Sequence, residues 1–165
     1  MRIVISPAKK MNIDLDSFAP EGLPLFLPEA ERLKEVLQKM TPRQLQTLWR
    51  CSDTLAAQNV ERLASMDLCH RLTPAVLAYE GIQYQYMAPG VFETGQFTYL
   101  QEHLRILSGF YGLLRPFDGV TPYRLEMQAK LQMGQAKDLY SFWDSRIADA
   151  LCADTDWILN LASKE

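Results

Sequence analysis

Residues 107–127 contain two arginines, two carboxylates and three glycines within one short segment. Arg115 and Arg124 stand close to prolines, so each guanidinium is attached to a stiff stretch of backbone. Gly109 and Gly112 are typical of a tight backbone corner beside helix ends that expose unpaired N–H groups. Guanidinium groups beside such amides suit the binding of an anion, most commonly a phosphate. A tight connection between helices with two surface arginines explains the same residues without a ligand.

The same segment offers one candidate pair for acid–base chemistry. Asp118 and Glu126 flank Arg124, but nothing in the sequence sets the distance between the two carboxyls. We therefore favour ion pairing with Arg124 over catalysis. The two histidines, His70 and His103, lack the spacing of a zinc site, and the esterase and P-loop motifs are absent. The sequence predicts no catalytic residue, no metal site and no cofactor.

The charge of the chain is unevenly distributed. A formal net charge of −3 speaks against a protein that coats nucleic acid by bulk attraction. Residues 1–10 nevertheless carry three basic residues and no acid, and residues 101–137 carry five basic residues against three acids. If the fold brings these two blocks together, they form a local basic patch on an acidic body. Chance segregation of charge explains the pattern equally well.

The predicted order of helices and strands around these residues indicates a mixed α/β (α+β) fold, in which several helices cover a mixed sheet. Apolar or alternating runs predict strands at residues 2–6, 82–87 and 156–161, with the first and last strands buried. Helices are predicted to begin near residues 28, 42, 53 and 74, to span residues 96–107, and to follow the capping residue Asp138. We expect Leu55 to face the core from the third of these helices. Prolines predict an irregular segment over residues 11–28.

Motifs spread from residue 5 to residue 163 resemble those of the YaaA family, bacterial proteins linked to the peroxide stress response. In chain order they are I-S-P-A-K from Ile5, S-D-T-L-A from Ser52, Q-E-H-L-R from Gln101, L-S-G-F-Y-G-L-L-R-P-F-D-G-V-T-P-Y-R-L-E-M from Leu107, K-D-L-Y from Lys137 and N-L-A-S from Asn160. The main departure is Ile82, which replaces an aspartate of the family, so no role of that aspartate is transferred. Because family members continue past N-L-A-S, we expect residues 1–165 to form a single domain that is truncated at its C-terminal end.

The resemblance implies a DNA-binding protein of the response to hydrogen peroxide, which helps to limit iron-driven DNA damage and contains a helix-hairpin-helix-like element. We place that element on the helix ending near Leu107, the Gly109–Gly112 corner and the segment after it, although two residues separate these glycines instead of the usual one. Such an element binds DNA phosphates without reading bases, so the expected partner is DNA, bound through backbone or structure-specific contacts. The expected DNA-binding residues are Lys9, Lys10, Arg105, Ser108, Gly109, Gly112, Arg115, Tyr123 and Arg124.

An enzyme is the alternative hypothesis, although the resemblance favours a protein without enzymatic activity. The enzyme would act on a nucleotide or nucleobase in a pocket lined by Lys9, Arg115, Arg124 and Glu126. A DNA-binding protein predicts an open basic groove, whereas an enzyme predicts a closed concave pocket with convergent polar groups. The sequence leaves both possibilities open, together with the oligomeric state.

Cysteine usage and hydropathy bear on the location of the protein. Cys51, Cys69 and Cys152 are scattered and lack C-x-x-C spacing, which is typical of reduced thiols in a cytoplasm. No apolar run reaches the length of a membrane-spanning helix. We therefore expect a cytoplasmic protein that has no membrane partner.

Overall fold

A computed structural model of the protein describes residues 1–163. Strands and helices are interspersed along this part of the chain. In order, they are β1 (Arg2–Ile5), β2 (Lys10–Met11), α1 (Leu27–Gln38), α2 (Pro42–Trp49), α3 (Asp53–Ala64), β3 (Thr73–Pro74), α4 (Ala75–Ala78), β4 (Tyr79–Glu80), α5 (Ile82–Met87), α6 (Thr94–His103), β5 (Leu104–Ser108), β6 (Gly112–Leu114), β7 (Gly119–Val120), α7 (Leu139–Trp143), α8 (Arg146–Asp154) and β8 (Ile158–Asn160). None of the helices in residues 1–163 combines the length and the apolar character needed to cross a membrane.

A four-stranded mixed sheet in the order β6-β5-β1-β8 forms the centre of the fold. Strand β1 pairs in parallel with β5 on one side and with β8 on the other, while β5 and β6 are antiparallel. The carboxyl ends of β1, β5 and β8 therefore lie at the same edge of the sheet, which we call the carboxyl edge. The predicted mixed fold is confirmed, with helices packed on a mixed sheet.

Local capping determines where two predicted helices begin. At the start of α2, the Thr41 hydroxyl accepts from the Gln44 amide at 3.3 Å, and the Thr41 amide donates to the Gln44 side chain at 2.8 Å. At the start of α7, the Asp138 carboxylate accepts from the Ser141 amide at 2.8 Å. These bonds satisfy amides that the first helical turn leaves unpaired. Both starts agree with the sequence prediction.

Two elements differ from the sequence prediction because short apolar runs fit either a helix or a strand. Residues 82–87 form helix α5 and not a strand, with Ile82 and Tyr86 exposed and only Tyr84 buried. Residues 104–108 form strand β5 and not the end of a helix, since their backbone pairs with β1 and β6. Pairing with distant strands therefore overrides the helical spacing of the leucines.

The Gly109–Gly112 corner consequently joins two strands. Strands β5 and β6 form a β-hairpin in which Ser108 lies opposite Gly112. A helix-hairpin-helix element needs helices on both sides of the corner, so its predicted placement on this segment is wrong.

Two expectations about burial are also wrong. Strand β8 forms near the predicted position, but its three residues are exposed because it is the edge strand of the sheet within residues 1–163. Leu55 is exposed on α3, where Ala56, Asn59 and Leu63 face the core instead.

The helix predicted after Asp138 is divided into α7 and α8, with Asp144 at a positive φ of 47° between them.

Candidate functional site

The hairpin between β5 and β6 is tied together from inside the core. The Ser108 hydroxyl accepts from the Phe110 amide at 3.2 Å and from the Tyr111 amide at 2.9 Å. Its oxygen also lies 2.7 Å from the Tyr123 hydroxyl, which lies 2.8 Å from the Tyr79 hydroxyl. All five side chains are buried. The hairpin amides therefore serve the protein's own hydrogen bonds and are not presented to an external phosphate.

Gly109 and Gly112 allow close approach of other segments to this hairpin. A Cβ atom at Gly109 would lie 2.8 Å from both the Leu125 carbonyl oxygen and the Met127 amide nitrogen. Gly112 has a positive φ of 73°, and a Cβ atom there would lie 2.8 Å from Cζ3 of Trp143. The first contact places residues 125–127 directly on the hairpin. It thereby positions Arg124, the residue before this segment.

Lys9 and Arg124 meet at the carboxyl edge. Both line a small cleft of about 30 Å³, together with Glu126 and Gly109. The Lys9 Nζ atom lies 3.0 Å from a carboxylate oxygen of Glu126. The structure thus brings the basic amino-terminal block and the basic central segment together, as the patch hypothesis expects. Glu126 pairs with Lys9 and not with Arg124, which corrects the ion pair expected from the sequence.

Other residues expected to bind DNA lie elsewhere. Arg105 is only 4% exposed and donates to a carboxylate oxygen of Asp154 at 2.7 Å. Arg115 is exposed, but it lines a separate cavity of about 240 Å³ with Arg105 and Asp154. Lys10 is exposed and forms an ion pair with Glu80. The nine residues therefore do not form one continuous surface.

Two aspartates near Arg105 titrate differently because their surroundings differ. Burial raises the pKa of Asp118 to about 6, while the Arg115 amide, which donates to its carboxylate at 2.8 Å, acts in the opposite direction. Hydrogen bonds from Arg2 and Arg105 hold the pKa of Asp154 well below its usual range, against the effect of burial. Asp118 lines the Arg115 cavity and Glu126 lines the Lys9 cleft, so they do not form an acid–base pair.

Further cations continue from Arg124 along the surface. Arg124 and Glu126 also line a second cleft, of about 40 Å³, with Trp49 and Arg50. This cleft shares Leu48 and Arg50 with an open groove of about 610 Å³. We call the five cations along the two clefts and the groove the cationic strip: Lys9, Arg124, Arg50, Arg43 and Lys130. In residues 1–163, Glu126 is the single carboxylate that lines these three concavities, and Lys9 pairs with it.

Sequence reasoning missed three residues of the cationic strip, namely Arg43, Arg50 and Lys130. Arg43 and Thr47 are four residues apart on one face of α2, and Arg50 directly follows the last residue of this helix. All three are exposed. Because the start of α2 was predictable from its cap, this spacing was available as a signal of a cationic helix face.

A crevice of about 220 Å³ also opens at the carboxyl edge. It is lined by Ser6, Ser108, Trp143 and Ser163, among others. The hydroxyl oxygens of Ser6 and Ser163 lie 2.8 Å apart. Sheets of this kind commonly bind ligands at the carboxyl ends of their parallel strands. We call this space the serine crevice.

The histidine, cysteine and acidic side chains of residues 1–163 show no grouping of three or more that could hold a metal ion. The three cysteines are free thiols: Cys51 is half-buried, while Cys69 and Cys152 are exposed.

Comparisons with known proteins cover the whole chain. The family model described as Peroxide stress protein YaaA matches residues 1–165. A UPF0246 protein of Agathobacter rectalis is 52% identical over 165 residues, and those of Lachnoclostridium phytofermentans and Lactiplantibacillus plantarum are each 54% identical. Each alignment includes 100% of this chain but only 65% to 66% of the relative. The chain therefore spans slightly less than two thirds of the length of these relatives.

Proposed function

The chain belongs to the family of peroxide stress protein YaaA, and from this premise we propose that it acts as a DNA-binding protein in the response to hydrogen peroxide. In that role it helps to limit iron-driven damage to DNA. We propose that it binds the phosphate backbone and performs no catalysis. The observation that carries this proposal is the cationic strip.

Four of the five charges of the cationic strip are free to meet phosphates. Within the part of the chain that the structure describes, the side chains of Arg43, Arg50, Arg124 and Lys130 take part in no ion pair, whereas Lys9 is paired with Glu126. Three of these four are arginines, whose planar guanidinium can donate two parallel hydrogen bonds to one phosphate. An open groove suits a continuous backbone better than a small ligand. Contacts of this kind are independent of base sequence.

The buried residues of the glycine hairpin act indirectly in this proposal. Ser108, Gly109, Gly112 and Tyr123 lie in the core, where they hold residues 124–127 in place. Their contribution to DNA binding is the position of Arg124. Arg115 lies in a separate cavity, so we leave it out of the proposed contact surface.

An enzyme acting on a nucleotide or nucleobase remains the second candidate. The pocket expected for it does not assemble, since Arg115 is absent from the cleft that Lys9, Arg124 and Glu126 line. That cleft, at about 30 Å³, is also far below the several hundred Å³ of common ligand pockets. The observation in favour of an enzyme is the serine crevice, which shares Gly109 and Met127 with this cleft and has about 220 Å³. Its substrate would bind in the serine crevice.

The dependence of DNA affinity on salt tests the backbone-binding proposal. Four unpaired cations that each displace one counterion predict a slope of log affinity against log salt of about −3.6. Arg43→Ala and Arg124→Ala should each reduce the magnitude of the slope by about 0.9 and weaken binding equally on two unrelated duplexes. Fluorescence anisotropy of the full chain measures this slope, with Arg62→Ala as a control outside the cationic strip.

Two results would contradict the proposal. One is an absence of affinity for DNA at low salt, and the other is an unchanged slope in both strip variants. If DNA binding is absent while a nucleotide binds and protects the serine crevice from hydrogen exchange, the enzyme becomes the better explanation.

A further inference from the structure

We propose that the cleft between Trp49, Arg50 and Arg124 is a binding site for one terminal phosphate group. This site goes beyond the proposed DNA-binding groove, because it would enclose a single phosphate instead of following a backbone. We call it the phosphate cleft. Neither its ligand nor its hydrogen-bond donors follow from the family description.

Two unsatisfied donors belong to residues that line this cleft. The indole Nε1 of Trp49 and the Nε of Arg124 are buried and have no hydrogen-bond partner within the described chain. Trp49 as a whole is only 5% exposed. Buried donors are almost always paired in folded proteins, so an unpaired one indicates an acceptor that is still to be added. In residues 1–163 three buried side-chain polar atoms are unpaired, and two of them belong to residues that line this one cleft.

The chemistry of the lining selects an anion. An indole N–H and a guanidinium can donate hydrogen bonds but cannot accept them, so the ligand must supply the acceptors. Arg50 and Arg124 provide two positive charges, and the negative charge of Glu126 is offset by Lys9 at 3.0 Å. The carboxyl end of helix α2 contributes about half a negative charge, which two guanidinium groups outweigh.

The size of the cleft selects a small ligand. Its volume of about 40 Å³ accommodates roughly three water molecules at 10–15 Å³ each. A tetrahedral phosphate group belongs to this size class, whereas a nucleobase does not fit. The several oxygens of a phosphate can accept from Trp49, Arg124 and Arg50 at the same time, and a carboxylate offers only two oxygens. Arg50 ends α2 with a φ of 47°, in the left-handed region, so an arginine stands beside the cleft at a backbone position where glycine is common.

Titration of the full chain with inorganic phosphate tests the proposal, with sodium chloride at equal ionic strength as the reference. We expect saturable binding by calorimetry and a phosphate-dependent rise in Tm. Trp49→Phe removes the N–H donor and keeps an aromatic ring, and Arg124→Met removes the guanidinium. Each should weaken phosphate binding about tenfold or more, as expected for a lost hydrogen bond to a charged group. Arg62→Ala, outside the cleft, should bind phosphate like the parent.

The stability of Trp49→Phe without phosphate provides a second measurement. The substitution removes an unpaired donor but also reduces the volume of a buried core side chain. The Tm of the variant in chloride therefore serves as its own baseline, and we expect the rise in Tm that phosphate produces above this baseline to be lost. If this variant does not fold, Arg124→Met carries the test. No saturable binding by the parent at millimolar phosphate, or equal binding by both cleft variants, would overturn the proposal.

Two oligonucleotides distinguish the source of the phosphate. A 5′-phosphorylated strand and the same strand with a 5′-hydroxyl are compared at one salt concentration. A preference for the phosphorylated strand that Trp49→Phe abolishes assigns the cleft to a DNA end. Equal binding of the two strands, together with binding of inorganic phosphate, assigns it to a small phosphate compound. The 5′-hydroxyl strand lacks the 5′-terminal phosphate, so its binding tests the backbone contacts of the cationic strip. Inorganic phosphate tests the phosphate cleft. Failure of the DNA proposal therefore appears as loss of the first kind of binding, and failure of this proposal as loss of the second.

Discussion

Because the Asp118 carboxyl is buried, we expect its contribution to the free energy of unfolding to increase as the pH falls from 7 to 5. Asp118 is 5% exposed, and burial raises its pKa to about 6 from an ordinary value of 3.8. The folded protein therefore holds a proton on this group in a pH range where the unfolded chain has released it. Stability from this group is gained as the pH falls through 6, and the gain is complete below 3.8.

The magnitude follows from the difference between the two pKa values. At about 1.4 kcal/mol per pKa unit, a difference of roughly two units changes the free energy of unfolding by about 3 kcal/mol between high and low pH. Between pH 7 and pH 5, the linkage relation gives a gain of about 1 kcal/mol. This change is large enough to measure by urea unfolding, since it is a substantial part of the stability of a small domain.

Asp118→Asn isolates this effect, because asparagine keeps a carbonyl oxygen for the Arg115 amide but cannot ionise. We expect the variant to be more stable than the parent at pH 8 and to approach the parent near pH 4. The difference between the two free energies of unfolding, measured at intervals from pH 8 to pH 4, should shrink mainly between the two pKa values, that is from about pH 6 downward. Asp16→Asn removes an exposed carboxylate and serves as the control. Parallel profiles for Asp118→Asn and the parent would refute the reasoning.

Two further predictions concern the hairpin and the buried arginine. Gly109→Ala should lower the free energy of unfolding by about 1–3 kcal/mol and weaken DNA binding, because its Cβ atom would press on the backbone of residues 125–127 beside Arg124. Unchanged unfolding curves and unchanged anisotropy titrations would contradict it. Asp154→Asn should destabilise the protein at neutral pH by about 1–2 kcal/mol, because Arg105 stays buried without its anionic partner while Asp154 is partly screened by solvent. The parent should lose the same contribution as the pH falls below 3.8, since the pKa of Asp154 is lowered, and a parent whose stability does not fall there would contradict the prediction.

Features that depend on neighbouring residues were predictable from the sequence. The Thr41–Gln44 capping box and the Asp138 cap each use side chains within three residues of the amides they satisfy. Strand β1 was also predictable, since a short β-branched run after the amino terminus has few alternatives. The convergence of Lys9 with Arg124 was only one of two possibilities in the sequence, because Arg124 follows the antiparallel strand β7 and is positioned by the contact of residues 125–127 with Gly109.

Strand β5 was not predictable in this way, because its environment is built by distant parts of the chain. Leu100, Leu104 and Leu107 have the spacing of a helix, yet Leu104 lies opposite Ile3 of β1 in the sheet. An arginine usually lies at the surface, but Arg105 is buried because Asp154, 49 residues further along, supplies the opposite charge. Neither partner can be identified from the sequence around residue 105.

The exchange of a helix for a strand changes what the glycine-rich segment does. Between helices, the Gly109–Gly112 corner would have offered free amides to a phosphate. Between strands, those amides bond to Ser108, and the glycines instead admit the backbone of residues 125–127 at close range. The charges available to a ligand then come from Arg124, from the exposed face of α2 and from Arg50 directly after it. Both α2 and Arg50 lie outside the glycine-rich segment. Substitutions in the hairpin should therefore alter binding only to the extent that they displace Arg124, whereas substitutions of Arg43 or Arg50 should alter binding without changing the stability of the fold.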